Sequence, residues 1–184
     1  MVFAAIDELS LDQLYLDQGK VEKNRKLLLA SDFQGYPPIE VYELFPGRLT
    51  ILDGNSRCFL LHEAGIKKIN VTFAPVEEIE TPIMRPLYEA CVRWCQKSDL
   101  FHIHDLSARI VPTEVFMEKW VRRCQEMMVL LTACQDDPVL DHTFKTALAA
   151  GKEPVALSAA GKLLFDEAIY SNNEKEGRDR IADE

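Results

Sequence analysis

The chain has 184 residues, of which 47% are hydrophobic, and it carries a formal net charge of −9 with a pI near 5.0. This length and apolar content allow one medium domain with a proper core, or a small domain with a helical extension. The acidic balance argues against general affinity for nucleic acid, because phosphate backbones are bound by surfaces rich in Lys and Arg.

Residues 1–75 are predicted to form an α+β domain with a small mixed β-sheet. In chain order, the periodicity of apolar residues and the turn dipeptides predict a short strand followed by a loop within 9–16, then a helix, a hairpin of two strands, a second helix and a last strand; these later elements are 20–30, 39–45, 48–52, 55–64 and 67–73. Pro46-Gly47 makes the hairpin turn, and Gly65 ends the second helix.

Residues 76–170 are predicted to form a mostly helical second domain. Prolines mixed with acidic residues make a connector after residue 75, and then come helices and one strand-like segment; the helices are 85–97, 113–134, 141–150 and 158–170, and the strand-like segment is 100–111. Thr113 and Ser158 are the expected N-caps of the second and fourth of these helices. The highly charged residues 171–184 are expected to be a disordered tail.

The cysteines and the hydropathy pattern favour the cytoplasm. Five cysteines form an odd set within apolar stretches, which is typical of buried, reduced thiols. The apolar opening is too short for a signal sequence and runs at once into Asp7 and Glu8. No apolar stretch approaches the roughly 20 residues that a membrane helix needs. We therefore expect a cytoplasmic protein that does not engage a membrane.

The segment Asp53-Gly54-Asn55-Ser56-Arg57 joins an apolar strand to an amphipathic helix and is the main candidate for a functional site. A helix N-terminus offers free backbone N–H groups and about half a positive charge, and both attract anions. Gly54 permits a positive φ and close approach of a ligand. Ser56 supplies a hydroxyl, and Arg57 can pair with a phosphate through two hydrogen bonds.

Asp53, at the end of the strand, could orient Arg57, hold a metal ion on the phosphates, or take a proton from a substrate hydroxyl. The alternative is an ordinary turn, in which Asn55 or Ser56 caps the helix and Arg57 is a surface residue. Short motifs match often by chance, so these residues alone leave both interpretations open.

The order of elements over residues 9–74 resembles the ParB N-terminal/sulfiredoxin-like superfamily. The resemblance includes the Pro-Ile-Glu-Val strand, the Asp-Gly-x-x-Arg turn and the Ala-Gly-Ile-Lys-Lys-Ile segment before the last strand. Members include partition proteins that bind and hydrolyse CTP, sulfiredoxin, and kinases that phosphorylate free serine. The resemblance implies a nucleoside di- or triphosphate with Mg²⁺, whose phosphate is held at the helix after the turn by Gly54, Asn55, Ser56 and Arg57.

The turn differs from that of each member, and the free-serine kinases, with Asp-Gly-His-His-Arg, come closest. Asn55 stands where sulfiredoxin has its nucleophilic Cys, which excludes sulfiredoxin chemistry. The partition proteins carry Gly-Glu-Arg-Arg and a basic DNA-binding extension, whereas this chain is acidic. The kinases have a catalytic Glu after the first strand, within Pro-His-Glu; the matching stretch here is Leu16-Asp17-Gln18, so that Asp17 or Glu22 would have to substitute.

These observations favour a nucleotide-dependent phosphotransferase or nucleotide hydrolase that acts on a small molecule. Gly54 to Arg57 would form the phosphate cradle, with Asp53 or Asp17 as the base or Mg²⁺ ligand. The missing Glu favours instead a non-catalytic regulatory or protein-interaction module. A DNA-binding or nuclease protein is a third alternative, and the acidity counts against it. The oligomeric state is left open.

A zinc site is a further alternative in the second half of the chain. Its ligands would come from a set of cysteines and histidines: Cys91, Cys95, His102, His104 and Cys124. Structural zinc sites usually place two cysteines in a turn, however, and cysteines spaced i, i+4 in an apolar stripe favour core packing. We therefore predict no metal site there.

Overall fold

The fold is α+β, as predicted, and is given by a computed structural model that describes residues 2–166. Its contacts divide the chain into two compact units, Met1–Arg122 and Arg123–Glu184. The predicted domain boundary after residue 75 falls inside the first unit. The predicted tail, 171–184, and the end of the predicted last helix lie outside the described residues.

The elements up to Phe116 alternate between short strands and helices. In chain order they are β1 (Val2–Ala5), β2 (Leu16–Asp17), α1 (Gln18–Ala30), β3 (Ile39–Phe45), β4 (Arg48–Asp53), α2 (Asn55–Glu63), β5 (Lys68–Phe73), α3 (Val76–Ile79), α4 (Met84–Lys97), β6 (Ile110–Val111) and α5 (Thr113–Phe116). A 3-10 turn follows β1 at Ile6–Glu8, and a 3-10 segment precedes β6 at Ile103–Arg109.

The remaining elements are two helices and a hairpin. A π-helical turn at Met117–Val121 leads into α6 (Arg122–Asp136), and α7 (Pro138–Ala149), β7 (Pro154–Leu157) and β8 (Leu163–Phe165) follow. The predicted helices 113–134 and 141–150 are therefore confirmed in position.

A four-stranded mixed sheet in the order β1-β5-β3-β4 forms the centre of the first unit. β3 and β4 form the predicted antiparallel hairpin, β5 lies parallel to β3, and β1 is antiparallel to β5. The apolar residues Ile39, Val41, Ile51 and Ile69 are completely buried. Helix α2 packs beside α1 and β3, with Cys58 to Leu61 buried along it. A single residue, Gly54, joins the end of β4 to the N-terminus of α2.

Within 9–16, where a short strand followed by a loop is predicted, the order is reversed: the loop comes first, and the strand, β2, begins only at Leu16. Leu9, Leu11, Leu14 and Leu16 are all buried, but the spacing changes parity after Leu11, and one face of a strand cannot hold both pairs. The segment runs as a loop that meets β4 at one point. The N–H of Ser10 donates to the carbonyl of Leu49 (2.8 Å), and the carbonyl of Ser10 accepts from the N–H of Ile51 (3.0 Å).

The strand-like segment 100–111 is also wrong, apart from the two residues of β6. The carboxylate of Asp105 accepts the backbone N–H groups of Phe101 and His102, both at 2.8 Å, and this closes the segment into a 3-10 turn. Thr113 is not the N-cap of the following helix, because Pro112 occupies that position and the Thr113 hydroxyl donates to Asp17 instead.

The predicted helix 158–170 is replaced, over the described residues, by the turn and second strand of the β7–β8 hairpin. The N–H of Ser158 donates to the carbonyl of Lys162 (2.8 Å), and its hydroxyl accepts the N–H of Lys162 (3.0 Å). Ser158 therefore closes a hairpin turn rather than capping a helix.

Candidate functional site

Gly54 determines the shape of the turn between β4 and α2. It has φ 101° and ψ 15°, in the left-handed region that L side chains rarely adopt. A Cβ atom built on it would lie 2.7 Å from Cδ1 of Ile39 and 2.9 Å from Nη2 of Arg57. The turn therefore needs glycine both for its backbone and for the close approach of the Arg57 guanidinium.

Arg57 is held over this turn by two hydrogen bonds. Its Nη2 donates to Oδ2 of Asp53 (2.7 Å), and its Nη1 donates to the carbonyl of Pro37 (3.0 Å). The Arg57 side chain is 15% exposed, whereas that of Asp53 is 74% exposed. The guanidinium thus has a fixed position beside Gly54, and its carboxylate partner lies in solvent, from which an anion could compete for it.

A polar concavity of about 100 Å³ lies at the N-terminus of α2. It is lined by the five residues Asp53 to Arg57, by Leu52, and by three polar residues from the preceding loop and α1: Gln13, Lys20 and Asn24. Typical pockets for whole small molecules measure roughly 300–1,000 Å³. The concavity is therefore large enough for one small polar group and too small for an entire nucleotide.

Among the residues that line the concavity, positive charges exceed negative charges by one. Lys20 and Arg57 each contribute one positive charge, and Asp53 contributes one negative charge. The ammonium of Lys20 lies 5.8 Å from the ring centroid of Phe116, in a cation–π contact. Together with the helix N-terminus, this excess favours an anion.

Asn55 and Ser56 are buried rather than displayed on the surface, at 5% and 8% exposure. The Nδ2 of Asn55 donates to Oδ1 of Asp12 at 2.9 Å. The Oδ1 of Asn55 is buried and has no hydrogen-bond partner within residues 2–166. The backbone N–H groups of residues 55–57 precede the first helical hydrogen bond, from Cys58 N to Gly54 O (2.8 Å), so they have no acceptor within the helix.

Asp12 is a residue of this region that the sequence pattern does not reveal. Its carboxyl is buried behind Asn55, and burial raises its pKa to about 7; the hydrogen bond from Asn55 opposes this rise, and the nearby charge of Asp53 adds to it. Its only local signal is its place among the apolar residues Leu11 and Leu14, which gives no indication of a contact with the turn.

Asp17 lies elsewhere and has a capping role. It is the N-cap of α1, and its Oδ1 accepts the N–H of Gly19 (2.8 Å) and the hydroxyl of Thr113 (2.7 Å). It is not among the residues that line the concavity. Glu22, the other predicted substitute for the kinase glutamate, accepts a hydrogen bond from Gln18 at 2.9 Å. Of the predicted catalytic residues, only Asp53 lies at the concavity.

None of the five cysteines, all of which lie within residues 2–166, lines the concavity. Cys58 is buried on α2, and burial, assisted by the charge of Asp7, raises its pKa to about 12, so its thiol stays protonated at neutral pH. Cys91 and Cys95 are buried on α4. Within residues 2–166, no group of three or more His, Cys, Asp or Glu side chains is arranged to hold a metal ion.

Comparison with models of known protein families gives no match, and comparison with curated proteins gives none either. Solved structures that match include protein Atu1540 from Agrobacterium tumefaciens, which is 17% identical to this chain with a TM-score of 0.41. The match covers 70% of this chain and 90% of that one. Over the described part of the chain, none of the helices has the length and apolar character to cross a membrane.

Proposed function

We propose that the chain binds a nucleoside di- or triphosphate with Mg²⁺ by seating one phosphate in the concavity at the N-terminus of α2. The observation that carries this proposal is that Arg57, Lys20 and the first residues of α2, whose backbone N–H groups have no acceptor within the helix, all line one small polar space. These groups are the ones that bind phosphate at helix N-termini in many folds.

The phosphate contacts follow from the geometry of the turn. Gly54 lets the backbone approach the anion, and the N–H groups of Asn55, Ser56 and Arg57 supply donors with no helical acceptor. Arg57 exchanges the exposed carboxylate of Asp53 for the phosphate, which can accept two of its N–H groups at once. Asp53 is thereby released as a proton acceptor beside the bound phosphate.

The size of the concavity limits what else it can recognise. About 100 Å³ accommodates the phosphate, so the ribose and the base lie outside it. We therefore expect this concavity to bind ATP, CTP and GTP with similar affinity, and any discrimination to come from other surfaces. Mg²⁺ is usually held by one or two carboxylates together with substrate phosphates, and Asp53 is the carboxylate that lines this concavity.

The favoured activity is nucleotide-dependent phosphoryl transfer to a small molecule, or nucleotide hydrolysis. Such reactions need positioning and charge neutralisation more than covalent chemistry by the protein. A non-catalytic, nucleotide-responsive regulatory module is the second candidate. It is favoured by the position of Asp17, which caps α1 and binds Thr113 instead of supplying a second carboxylate at the concavity.

Thermal unfolding with ATP, ADP, CTP and GTP, each with and without Mg²⁺, tests binding. We expect an increase in Tm for the wild type and for Arg25→Ala, and none for Arg57→Ala. Arg25 is the matched control, since it also forms an ion pair, with Glu63 at 2.8 Å, but lies away from the concavity. A Tm that none of the four nucleotides changes at millimolar concentration would remove the proposal.

Phosphate release then separates the enzyme from the regulatory module. We expect release by the wild type and its loss in Asp53→Asn, with the nucleotide-induced increase in Tm retained. Binding without release, in the presence of a panel of small hydroxyl compounds, would favour the regulatory module.

A further inference from the structure

Asp12 and Asn55 form a buried polar pair directly behind the concavity. The two residues are 6% and 5% exposed, and they are joined by one hydrogen bond of 2.9 Å. The loop that carries Asp12 is fixed to β4 by the backbone hydrogen bonds of Ser10, two residues earlier. Asn55 also lines the concavity, whereas Asp12 does not.

The hydrogen bonding of this pair is incomplete when Asp12 is ionised. A carboxylate can only accept hydrogen bonds, so Asn55 must turn its NH₂ group toward Asp12. This orientation leaves Oδ1 of Asn55 buried and without a partner in the described part of the chain. An unsatisfied buried acceptor is costly, and the partial negative charge of this oxygen, on a residue that lines the concavity, also disfavours an anion there.

Protonation of Asp12 allows the opposite orientation. The acid O–H can donate to Oδ1 of Asn55 after the amide rotates by half a turn, and the NH₂ group, with its partial positive charge, then takes the position that Oδ1 held. Protonation also removes a negative charge from beneath the anion site. A bound phosphate and a proton on Asp12 therefore favour the same arrangement of Asn55.

Given the proposed phosphate site, on which this inference rests, we propose that Asp12 and Asn55 form a proton-linked switch that regulates anion binding. Proton uptake by Asp12 rotates the Asn55 amide, so that the positive end of the amide dipole replaces its negative end on the side away from Asp12 and favours the bound anion. Asp12 does not touch the ligand and acts through Asn55 as a positioning residue. By reciprocity, a bound anion strengthens the hold of Asp12 on its proton.

The charged groups around the pair support this direction of coupling. Burial and the charge of Asp53 raise the pKa of Asp12 to about 7, so the carboxyl changes charge near neutral pH. Lys20 and Arg57, on α1 and α2, line the same concavity and attract the anion at every pH in this range. The charge of Asp12 is therefore the contribution to anion binding that changes with pH near neutrality.

Binding of inorganic sulfate between pH 6 and pH 8, measured by calorimetry, tests the switch. Sulfate keeps both negative charges over this range, so any pH dependence belongs to the protein. If binding requires protonated Asp12, a pKa of about 7 leaves roughly nine-tenths of the protein competent at pH 6 and one-tenth at pH 8, so the wild type should bind about tenfold more weakly at pH 8.

Asp12→Asn and Asp99→Asn are the variants that decide the result. Asn at position 12 is neutral and can donate to Asn55, so we expect affinities within about twofold of each other at pH 6 and pH 8. Asp99 is exposed and lies away from the concavity, so Asp99→Asn removes the same charge and should keep the tenfold dependence of the wild type.

A carbon-13 titration of the Asp12 carboxyl in the wild type avoids reliance on a variant that could misfold. We expect its midpoint to lie near pH 7 and to rise with saturating sulfate. Sulfate binding that is independent of pH, that keeps its dependence in Asp12→Asn, or that leaves the Asp12 midpoint unchanged would refute the switch and leave the anion site standing. No sulfate binding at either pH by any of the proteins would remove the anion site, and the switch with it.

Discussion

Replacing Gly54 by alanine tests whether the turn is built for a close approach of Arg57. The positive φ of 101° costs an L residue about 1–2 kcal/mol. The added Cβ would also lie 2.7 Å from Ile39 and 2.9 Å from Arg57, which adds roughly 1 kcal/mol as the two side-chain ends move aside. For a chain of this length, a total of about 2–3 kcal/mol corresponds to a decrease in Tm of about 4–12 °C.

Gly65→Ala is the matched control at the other end of α2. Gly65 has φ 79°, and a Cβ built on it meets nothing within 4 Å, so only the backbone cost applies. Calorimetric titration with sulfate gives the functional comparison. Displacing Arg57 in Gly54→Ala should weaken sulfate binding by about tenfold or more, since a hydrogen bond to a charged group contributes about 1.5–3 kcal/mol.

Gly65→Ala should bind sulfate as the wild type does. The reasoning is refuted if Gly54→Ala equals Gly65→Ala in both Tm and sulfate affinity, because the contact with Arg57 would then have no consequence.

Three further predictions concern single side chains. Arg57→Lys keeps the positive charge but loses the two-point geometry, so its sulfate affinity should fall between those of the wild type and Arg57→Ala in calorimetric titration; affinity equal to the wild type would contradict a guanidinium-specific contact. Folding raises the pKa of Asp12 from 3.8 to about 7, so folded protein binds the extra proton and its stability falls as pH rises through this window. Urea unfolding should show that the free energy of unfolding of Asp12→Asn, relative to that of the wild type, rises between pH 4 and pH 7 by on the order of 4 kcal/mol at most. If this difference between the two proteins stays constant with pH, Asp12 does not titrate in this range. Cys58, with its pKa raised by burial to about 12, should resist alkylation by iodoacetamide at pH 8 in the folded protein and react after unfolding, as read by peptide mass spectrometry.

The elements that the sequence predicts well are those whose signals are local. The β3–β4 hairpin follows from alternating residues around Pro46-Gly47, and α2 follows from an apolar stripe that ends before Gly65. The positive φ of Gly54 is equally local, because a glycine between an apolar strand and a helix indicates such a turn. The predicted cradle residues Gly54 to Arg57 accordingly do line one concavity.

The failures involve partners far away in the sequence. Strand β1 forms only by pairing with β5, and four apolar residues at the start of the chain give no hint of it. Thr113 has the sequence signature of an N-cap, but its hydroxyl donates to Asp17, which lies 96 residues earlier in the chain. Asp12 meets Asn55 across 43 residues, so neither the buried pair nor its raised pKa has a signature in any short window. These contacts depend on tertiary packing, which local patterns do not encode.

The most direct test of the phosphate site is a titration with ADP and Mg²⁺, followed through the backbone amide resonances of the isotopically labelled protein. The account predicts that the largest shifts occur at the amides of Gly54 to Arg57, with smaller shifts at Lys20 and Asn24. Shifts confined to other surfaces, or none at millimolar nucleotide, would contradict it.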